Sequence, residues 1–436
     1  IADTIIVTGI VVVIMSVTGG AWAVIASDFM QMVVIMAVSL SATVVAIAKS
    51  GGLEPIFNKG LPEMPLMGQG INYGFLFVAW FIAIFAKQFF STNNMIDSYR
   101  YICAKDSINA KKGAIFAATL MFCGAFIWFI PAWFVAANYP DTTTWGITNL
   151  GSKITDATYL VFVRNVMPVG MVGLMMAAVF AATMSSMDSA LNRNAGIFVR
   201  NFYTKVIQIG KSESELLVVS KITTSVFGII IIGAGLFLSN LKETSLFEMM
   251  MLVATLVKFP ILIPSILGFF VKRTPDWAGW GTIIVGAVVS YFVAFVITPE
   301  MFETFFNLDM RLTKREFGDL RSVTLGVTLH MIITVPFFLL SSLFYKKHTA
   351  DRKVEIETFF NNVSTEVIED DDVENVLDNK QRSVLGRLIQ VAGAGISCLC
   401  VVPNPFWGRL VFIFVGLIVL SVGTGLILAT KRISKQ

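Results

Sequence analysis

The sequence predicts an all-α integral membrane protein, a bundle of about eleven transmembrane helices. Of its 436 residues, 56% are hydrophobic and only 14% are charged, and 37 are Phe. Soluble globular domains are far less apolar. A helix needs about 20 apolar residues to cross the ~30 Å hydrocarbon layer, and runs of about that length recur through the chain. We therefore expect the lipid bilayer to surround most of the protein.

Apolar runs separated by polar or turn-forming residues give the order of the spans. We predict them near 4–18, 21–48, 72–91, 113–137, 166–200, 216–240, 245–271, 277–298, 323–345, 386–403 and 408–430. The stretch PNPFWG at 403–408 separates the last two runs, because Pro and Gly interrupt helices. No arrangement of residues typical of a soluble enzyme occurs, so we expect no enzymatic activity, no nucleic-acid partner and no particular partner protein.

Basic residues indicate the orientation in the membrane, because loops rich in Lys and Arg stay in the cytoplasm. They occur in every second loop, around 100–112, 200–211, 272–273 and 346–353. This pattern predicts that the loops 138–165 and 299–322 lie outside and that the basic C-terminal tail lies inside.

The segment 346–385 differs in composition from the rest of the chain. It is polar and contains the acidic run EDDD at 369–372, and it is too short to form a substantial core alone. We expect a cytoplasmic acidic linker there, with a regulatory or docking role as the alternative. The predicted organisation is a core over 1–345, this linker, and a helical hairpin with a short basic tail over 386–436.

A polar stripe interrupts the span 166–200, in the stretch AATMSSMDSALN at 181–192. Ala182, Ser185, Ser186 and Ser189 are spaced i, i+3, i+4 and i+7, so they share one face of the helix. Serine hydroxyls are neutral oxygen ligands that a hard cation accepts in place of water. The stripe therefore indicates half of a cation site. The alternative is that the serines bond back to their own helix or join neighbouring helices.

Two acidic residues within spans favour the cation site. Asp188 lies beside the stripe, and Asp28 lies in the span 21–48 with Gln31 three residues later on the same face. Ionisable groups inside a membrane are costly and usually mark an ion or proton path. A bound cation would compensate the two carboxylates, whereas protonated carboxyl groups would suit a proton-coupled carrier. The residues themselves do not choose between Na⁺ and H⁺.

A second group of residues indicates a solute pocket and its gate. The span 72–91 ends in FAKQFFSTNN, which places Gln88, Phe90 and Asn94 close together in the sequence. Flat aromatic faces with a few orienting amides suit a small polar solute, although an interfacial aromatic belt would look the same. Lys258 lies within another span, before Pro260. It would hold an anionic group of a solute, form an ion pair, or reach toward the interface.

Three stretches resemble successive signatures of the sodium:solute symporter family, which includes sodium–glucose, sodium–proline and sodium–sialic acid carriers. They are GGAWAVIASDFMQ at 19–31, SYRYICAKDSINAKKG at 98–113, and MPVGMVGLMMAAVFAATMSSMDSALNRNAGIFVRNFY at 167–203. Their order and spacing match the family up to about residue 345. The resemblance implies a leucine-transporter-like fold of two inverted five-helix repeats, with alternating access around a site at mid-membrane.

The resemblance also implies roles for individual residues. In the family, one sodium ion is held by backbone carbonyls of the first core helix and by the helix that matches 166–200. Here the carbonyl of Ala182 and the hydroxyls of Ser185 and Ser186 would supply the second half of that site. Some members hold a further sodium ion, and the matching residues in this sequence are Asp28, Ser185, Asp188 and Ser189. Phe90 lies close to the aromatic residue that closes the inner gate in sugar carriers.

Two departures from the family pattern carry expectations of their own. The helices that the family has before residue 1 are absent from this sequence, so we expect an N-terminally incomplete chain. Met121 stands where some sugar carriers have a lysine, which argues against a close sugar-carrier assignment. Taken together, the resemblance implies sodium-coupled import of a small polar solute across a bacterial plasma or inner membrane. The alternatives are a proton-coupled solute carrier and a non-transporting membrane sensor or scaffold of the same fold.

Overall fold

A computed structural model describes residues 2–60, 73–93, 101, 104, 106–147, 151–207, 212–239, 246–306, 311–312, 317–318, 320–346, 350–365 and 375–433. The chain divides into two compact units. Unit 1 contains residues 1–61, 121–243 and 371–436, and unit 2 contains residues 62–120 and 244–370. Within the described ranges all regular structure is helical.

The α-helices are α1 (Ala2–Ser50), α2 (Glu54–Gly60), α3 (Tyr73–Thr92), α4 (Ser107–Asn138), α5 (Thr158–Val166), α6 (Met171–Phe198), α7 (Glu213–Ser239), α8 (Leu246–Val253), α9 (Phe259–Leu267), α10 (Ala278–Tyr291), α11 (Pro299–Phe306), α12 (Gly326–Leu329), α13 (Val335–Ser341), α14 (Ala350–Ser364), α15 (Asn375–Cys398) and α16 (Phe406–Ile433). Short 3₁₀ segments cover Thr142–Trp145, Gly151–Ala157, Ser342–Phe344 and Leu399–Val401, and π-helical segments cover Val199–Ile207, Ala254–Lys258, Phe292–Val296, Leu320–Leu325 and His330–Thr334.

The described residues contain ten helical stretches that are long and apolar enough to cross a membrane. The span predicted at 72–91 corresponds to the shorter apolar helix Leu76–Thr92. The first two predicted spans, 4–18 and 21–48, correspond to the apolar stretches Ala2–Gly19 and Val24–Ser50, which belong to one continuous helix, α1. The predicted linker 346–385 includes a regular helix, α14.

In unit 1 the helix α1 packs against α6 and α7, and its buried residues form the core together with those of α4, α5, α6, α15 and α16. Small residues allow the close approach of α1 and α7: a Cβ at Gly228 would overlap the side chain of Val13, and one at Gly9 would lie 2.5 Å from Ile232. Toward its C-terminal end, α1 also packs on α4, and the hydroxyl of Thr43 donates to the carbonyl of Ile127 at 2.6 Å. These contacts fix the position of α1 against its neighbours in the unit.

The hairpin of α15 and α16 is held by glycines that bring two backbones into contact. A Cβ at Gly416 would overlap the Ser397 hydroxyl and lie 2.7 Å from the Gly393 carbonyl. Two turns further along α16, a Cβ at Gly423 would lie 2.7 Å from the carbonyl of Gly386. Small residues at such crossings are typical of helix packing in membranes. The sequence spacing of seven residues keeps these glycines on one face of each helix.

Unit 2 contains two spans in which a π-helical segment precedes a proline. Ala254–Lys258 precedes Pro260, and His330–Thr334 precedes Pro336. A proline lacks the backbone N–H and its ring clashes with the carbonyl four residues earlier, so the preceding turn widens. This is the local break that the prolines of the span 245–271 predict. In both spans the widened turn carries a polar residue, Lys258 or His330.

Candidate functional site

The carboxylate of Asp28 and the hydroxyl of Ser189 join α1 to α6. The Ser189 Oγ donates to the Asp28 Oδ2 at 2.8 Å. The helix α6 begins after Pro168 and Gly170, and Gly170 adopts a φ of +91° that favours glycine. This start leaves α6 uninterrupted through the polar stripe, so that Ser189 faces α1. The span bearing Asp28 and the span bearing the serines therefore do face each other within unit 1.

Two side-chain oxygens next to this contact are buried and have no hydrogen-bond partner among the described residues. They are the Oδ1 of Asp28 and the Oε1 of Gln31. Residues three apart in a helix lie on the same face, so both oxygens belong to one side of α1. Buried polar atoms nearly always have partners, so an exception points to a partner outside the protein, such as a water molecule or an ion. A carboxylate, an amide oxygen and a hydroxyl form a donor set that suits a hard cation.

Asp188 lies in a hydrogen-bonded group on the same pair of helices. It is buried, with 6% of its surface exposed, and its Oδ1 accepts from the Asn192 Nδ2 at 2.9 Å. The Asn192 Nδ2 also lies 2.7 Å from the Ser16 Oγ on α1. Asp188 is close enough to Asp28 for their charges to interact. Two neighbouring carboxylates in a span increase the benefit of a bound cation.

The remaining residues of the polar stripe lie about one to two turns before Ser189 on the same face of α6. Ala182 and Ser186 are exposed on unit 1, and Ser185 is half-buried. The Ser186 hydroxyl donates back to the Ala182 carbonyl at 3.1 Å, which is the local bond expected of a serine in a membrane helix. The structure thus brings Asp28, Asp188 and Ser189 together, and among the described residues no hydrogen bond joins Ala182, Ser185 or Ser186 to α1. Their assignment to a sodium ion stays a prediction.

Of the predicted pocket residues, the structure describes Gln88, Phe90 and Lys258 in unit 2, and their exposure differs. Phe90 is buried and packs edge-to-face on Phe259, with ring centroids 5.5 Å apart. Gln88 is exposed, its carbonyl accepts from Thr92 at 2.7 Å, and Lys258 is also exposed. Asn94 lies outside the described residues. A role for these four residues in solute binding therefore stays a prediction.

Lys87 is a polar residue of unit 2 that the sequence did not single out. It is 5% exposed, and its Nζ lies 3.5 Å from the Met251 Sδ. Its charge is near enough to that of Lys258 to interact. A thioether is a weak acceptor, so the contact with Met251 compensates little of the cost of burying the Lys87 ammonium.

Sequence reasoning also missed Ser16. This residue is the α1 partner of Asn192, yet it is a lone hydroxyl in an apolar run, where local bonding is the usual expectation. Its only signal is that it interrupts the run IIVTGIVVVIMSV. Which neighbour it meets is set by the packing of α1 on α6, which the sequence does not contain.

The long apolar helices define a multi-span membrane protein, and the paired carboxylates give it a candidate cation site. The sequence profile of the sodium:solute symporter family matches residues 1–286, well over half of the chain. The chain belongs to that family, as the resemblance predicted.

Comparisons with individual proteins agree with the family. The chain is 26% identical over 310 residues to the sodium/myo-inositol cotransporter 2 of Oryctolagus cuniculus, covering 63% of this chain and 45% of that protein. It is 26% identical over 291 residues to the sodium/sialic acid symporter NanT of Aliivibrio fischeri, covering 65% and 55%. The chain therefore spans about half the length of the curated relatives it matches.

A solved structure of a Na⁺-coupled sialic acid symporter, in a substrate-bound outward-open state, has a similar fold. The TM-score is 0.56 at 20% sequence identity, and the similarity covers 80% of this chain and 68% of that one. This similarity confirms the predicted fold class, an all-α membrane bundle of the leucine-transporter type.

Proposed function

We propose that this chain forms part of a sodium-driven symporter that imports a small polar solute by alternating access across a plasma membrane. The observation that carries the proposal is the contact between Asp28 and Ser189, beside two buried oxygens without partners. The names of relatives, which specify sodium with myo-inositol or sialic acid, support the same function.

The coupling ion acts through its difference in affinity between conformations. A sodium ion bound beside Asp28 favours the conformation in which α1 supplies Asp28 and Gln31 and α6 supplies Ser189. Moving one charge through ~100 mV releases about 2.3 kcal/mol, and a tenfold concentration gradient adds about 1.4 kcal/mol. Together these terms concentrate a neutral solute roughly 500-fold for each sodium ion carried.

Within the proposed cation site, Asp28 supplies the charge and its Oδ1 is the first ligand. Gln31 contributes a neutral oxygen from the next turn of α1. Ser189 holds the other carboxylate oxygen through its hydrogen bond, so that Oδ1 stays directed at the ion. Asp188 is tied to Asn192 and acts through its charge. In this proposal the sodium ion is transported together with the solute and is not a permanently bound cofactor.

Direct ion binding is the first test. Binding of radioactive sodium to the purified chain in detergent is measured for the natural protein, for Asp28→Asn and for Thr183→Ala. Thr183 is a matched control, because its hydroxyl only bonds back to the Val179 carbonyl on α6. We expect saturable binding that is lost in Asp28→Asn and retained in Thr183→Ala. Equal binding by all three proteins contradicts the proposal.

Uptake distinguishes the proposal from its alternatives. Proteoliposomes containing the chain receive labelled sialic acid or myo-inositol as probes, under a sodium gradient, a pH gradient or neither. We expect accumulation of at least one probe under the sodium gradient alone. Accumulation that follows the pH gradient and ignores sodium would establish proton coupling instead. Sodium binding without any accumulation would favour a sensor or scaffold of the same fold.

A further inference from the structure

Unit 2 contains a cavity of about 420 Å³ at the ends of three membrane-spanning stretches. Its lining includes residues from the end of α9, from the connection between α9 and α10, and from α13 and α14. The adjoining apolar stretches are Met249–Leu267, Ala278–Val296 and Val323–Phe344. A cavity where spans begin and end lies at the depth of the lipid headgroups. Its volume falls within the ~300–1,000 Å³ of small-molecule sites.

The floor and the rim of this cavity differ in chemistry. Pro264, Gly268, Ala278 and Phe338 provide an apolar floor, continuous with the ends of the spans. The charged residues at the cavity belong to its more accessible parts and are Lys272, Asp276, Arg352 and Glu355. An apolar floor below a charged rim matches a molecule with an apolar body and a charged head.

The rim carries both signs of charge in equal number. Arg352 and Glu355 pair at 2.8 Å, yet their side chains remain 53% and 66% exposed. The Lys272 Nζ lies 5.8 Å from the Phe360 ring centroid. Within the described ranges, the ion pairs do not include Lys272 or Asp276. The rim therefore offers one ammonium and one carboxylate to a ligand, in addition to an accessible ion pair.

The helix α14 presents one face to the cavity. Arg352, Ile356 and Phe360 are spaced i, i+4 and i+8, so they form one stripe, and all three line the cavity. Ile356 and Phe360 are less exposed than residues of α14 that do not line the cavity, such as Lys353 and Glu357. Beside the stripe, the Phe359 ring lies 5.6 Å from Phe269. The helix α14 therefore contributes both apolar and charged side chains to the cavity.

We propose that this cavity binds a phospholipid with a zwitterionic headgroup that bears a primary ammonium, namely phosphatidylethanolamine. Lys272 and Arg352 receive the phosphate, because cationic side chains form charge-assisted hydrogen bonds with phosphate oxygens. Asp276 and Glu355 accept the N–H groups of the ammonium. The glycerol and the first acyl carbons lie on the apolar floor. The bound lipid thereby fixes α14 against the ends of the spans.

The test measures lipid retention by the purified chain using native mass spectrometry. Equimolar phosphatidylethanolamine, phosphatidylcholine and phosphatidylglycerol are offered in detergent, and soluble phosphoethanolamine is offered separately. The choline headgroup has no N–H to donate, and the glycerol headgroup has no cation. We expect phosphatidylethanolamine to be retained about ten-fold better than either, the effect of one charge-assisted hydrogen bond.

Variants assign the preference to the rim. Asp276→Asn removes the carboxylate charge and should equalise phosphatidylethanolamine and phosphatidylcholine while leaving some binding of both. Lys272→Ala should weaken both lipids, because it removes a phosphate partner. Lys353 and Glu357 belong to α14 but do not line the cavity, so the control variants Lys353→Ala and Glu357→Gln should match the natural chain. Thermal unfolding without added lipid shows whether each variant remains folded.

Three outcomes overturn the proposal. Preferential retention of phosphatidylglycerol would mean that the cavity selects an anionic lipid. Equally tight binding of soluble phosphoethanolamine would mean that it takes a free phosphate ester rather than a lipid. Lipid retention that Lys272→Ala and Asp276→Asn leave unchanged, in folded protein, would mean that the retained lipid lies elsewhere.

Discussion

Replacing Ser189 by Ala is the sharpest perturbation of the proposed sodium site. The Ser189 Oγ donates to the Asp28 Oδ2 at 2.8 Å across two helices. Ser189→Ala removes this donor but keeps the charge of Asp28 and the backbone of α6. A hydrogen bond to a charged group contributes about 1.5–3 kcal/mol. Ser189 is half-buried, so water can partly replace its hydroxyl, and the lower figure applies.

A loss of about 1.5 kcal/mol corresponds to a roughly ten-fold weaker sodium affinity. The assay is the binding of radioactive sodium to purified protein over a range of sodium concentrations. Thr183→Ala is the matched control, because Thr183 lies on the same helix and its hydroxyl bonds only to Val179. The yield of folded protein, measured by gel filtration, should be the same for both variants.

Two results would refute this reasoning. If Ser189→Ala binds sodium as tightly as the natural chain, the hydrogen bond to Asp28 does not orient an ion ligand. If Ser189→Ala and Thr183→Ala lose affinity and yield equally, the serine serves only helix packing. A ten-fold loss confined to Ser189→Ala supports the site.

Three further predictions concern stability. Gly416→Val should lower the thermal unfolding midpoint, because the added side chain forces α16 away from α15 at a cost of about 1–3 kcal/mol in stability. Gly425→Ala is the control and should leave the midpoint unchanged, because a Cβ there meets nothing within 4 Å. His330→Phe should lower the free energy of unfolding of the detergent-solubilised chain, measured with denaturant, by about 2 kcal/mol. The buried hydroxyls of Thr334 and Ser290 would lose the ring nitrogens that lie 3.0 and 3.2 Å from them. Unchanged unfolding would mean that these hydrogen bonds contribute nothing to stability. Hydrogen bonds from the Thr143 side chain and then its backbone lower the pKa of Asp141, so the turn Thr142–Trp145 should be stabilised at neutral pH and lose that stabilisation as the pH falls through the lowered value. Amide exchange of this turn should therefore differ between the natural chain and Asp141→Asn at neutral pH, and the difference should vanish in acid.

Most spans could be predicted because a membrane span depends on composition over a window of residues. The runs 277–298 and 408–430, for example, correspond to the spans Ala278–Val296 and Phe406–Thr430. The continuity of α1 could not be predicted, because two successive apolar windows fit a hairpin as well as one long helix. The helix α14 was missed because its apolar residues form only a narrow stripe, which becomes meaningful beside the cavity.

The candidate site was predictable to the extent that polar residues stand out against apolar sequence. Asp28 and Asp188 carry that signal, and the structure places them near each other. Helical spacing placed Ser186 and Ser189 on one face, but a face is broad, and only Ser189 contacts α1. The choice between them depends on how α6 is rotated against its neighbours, which is a property of tertiary packing. The same reason explains why Ser16 was missed.

Two levels along the polar face of α6 suggest how sodium binding and conformational change are divided in the proposed symporter. At the level of Asp28, Asn192 donates a hydrogen bond to Ser16 on α1 at 2.7 Å. This bond holds α1 and α6 together whether or not an ion is bound at Asp28. The residues proposed to bind the ion beside Asp28 therefore keep their relative positions, and a bound ion adds to a contact between α1 and α6 that already exists. One to two turns earlier on α6, Ala182 and Ser186 are exposed, so in the proposed symporter ligands from another helix would be gained or lost there. An ion can shift a conformational equilibrium only where its contacts differ between states. In the proposed symporter, coupling to transport therefore depends on this exposed part of α6, and variants of Ser186 should alter uptake more than they alter sodium binding beside Asp28.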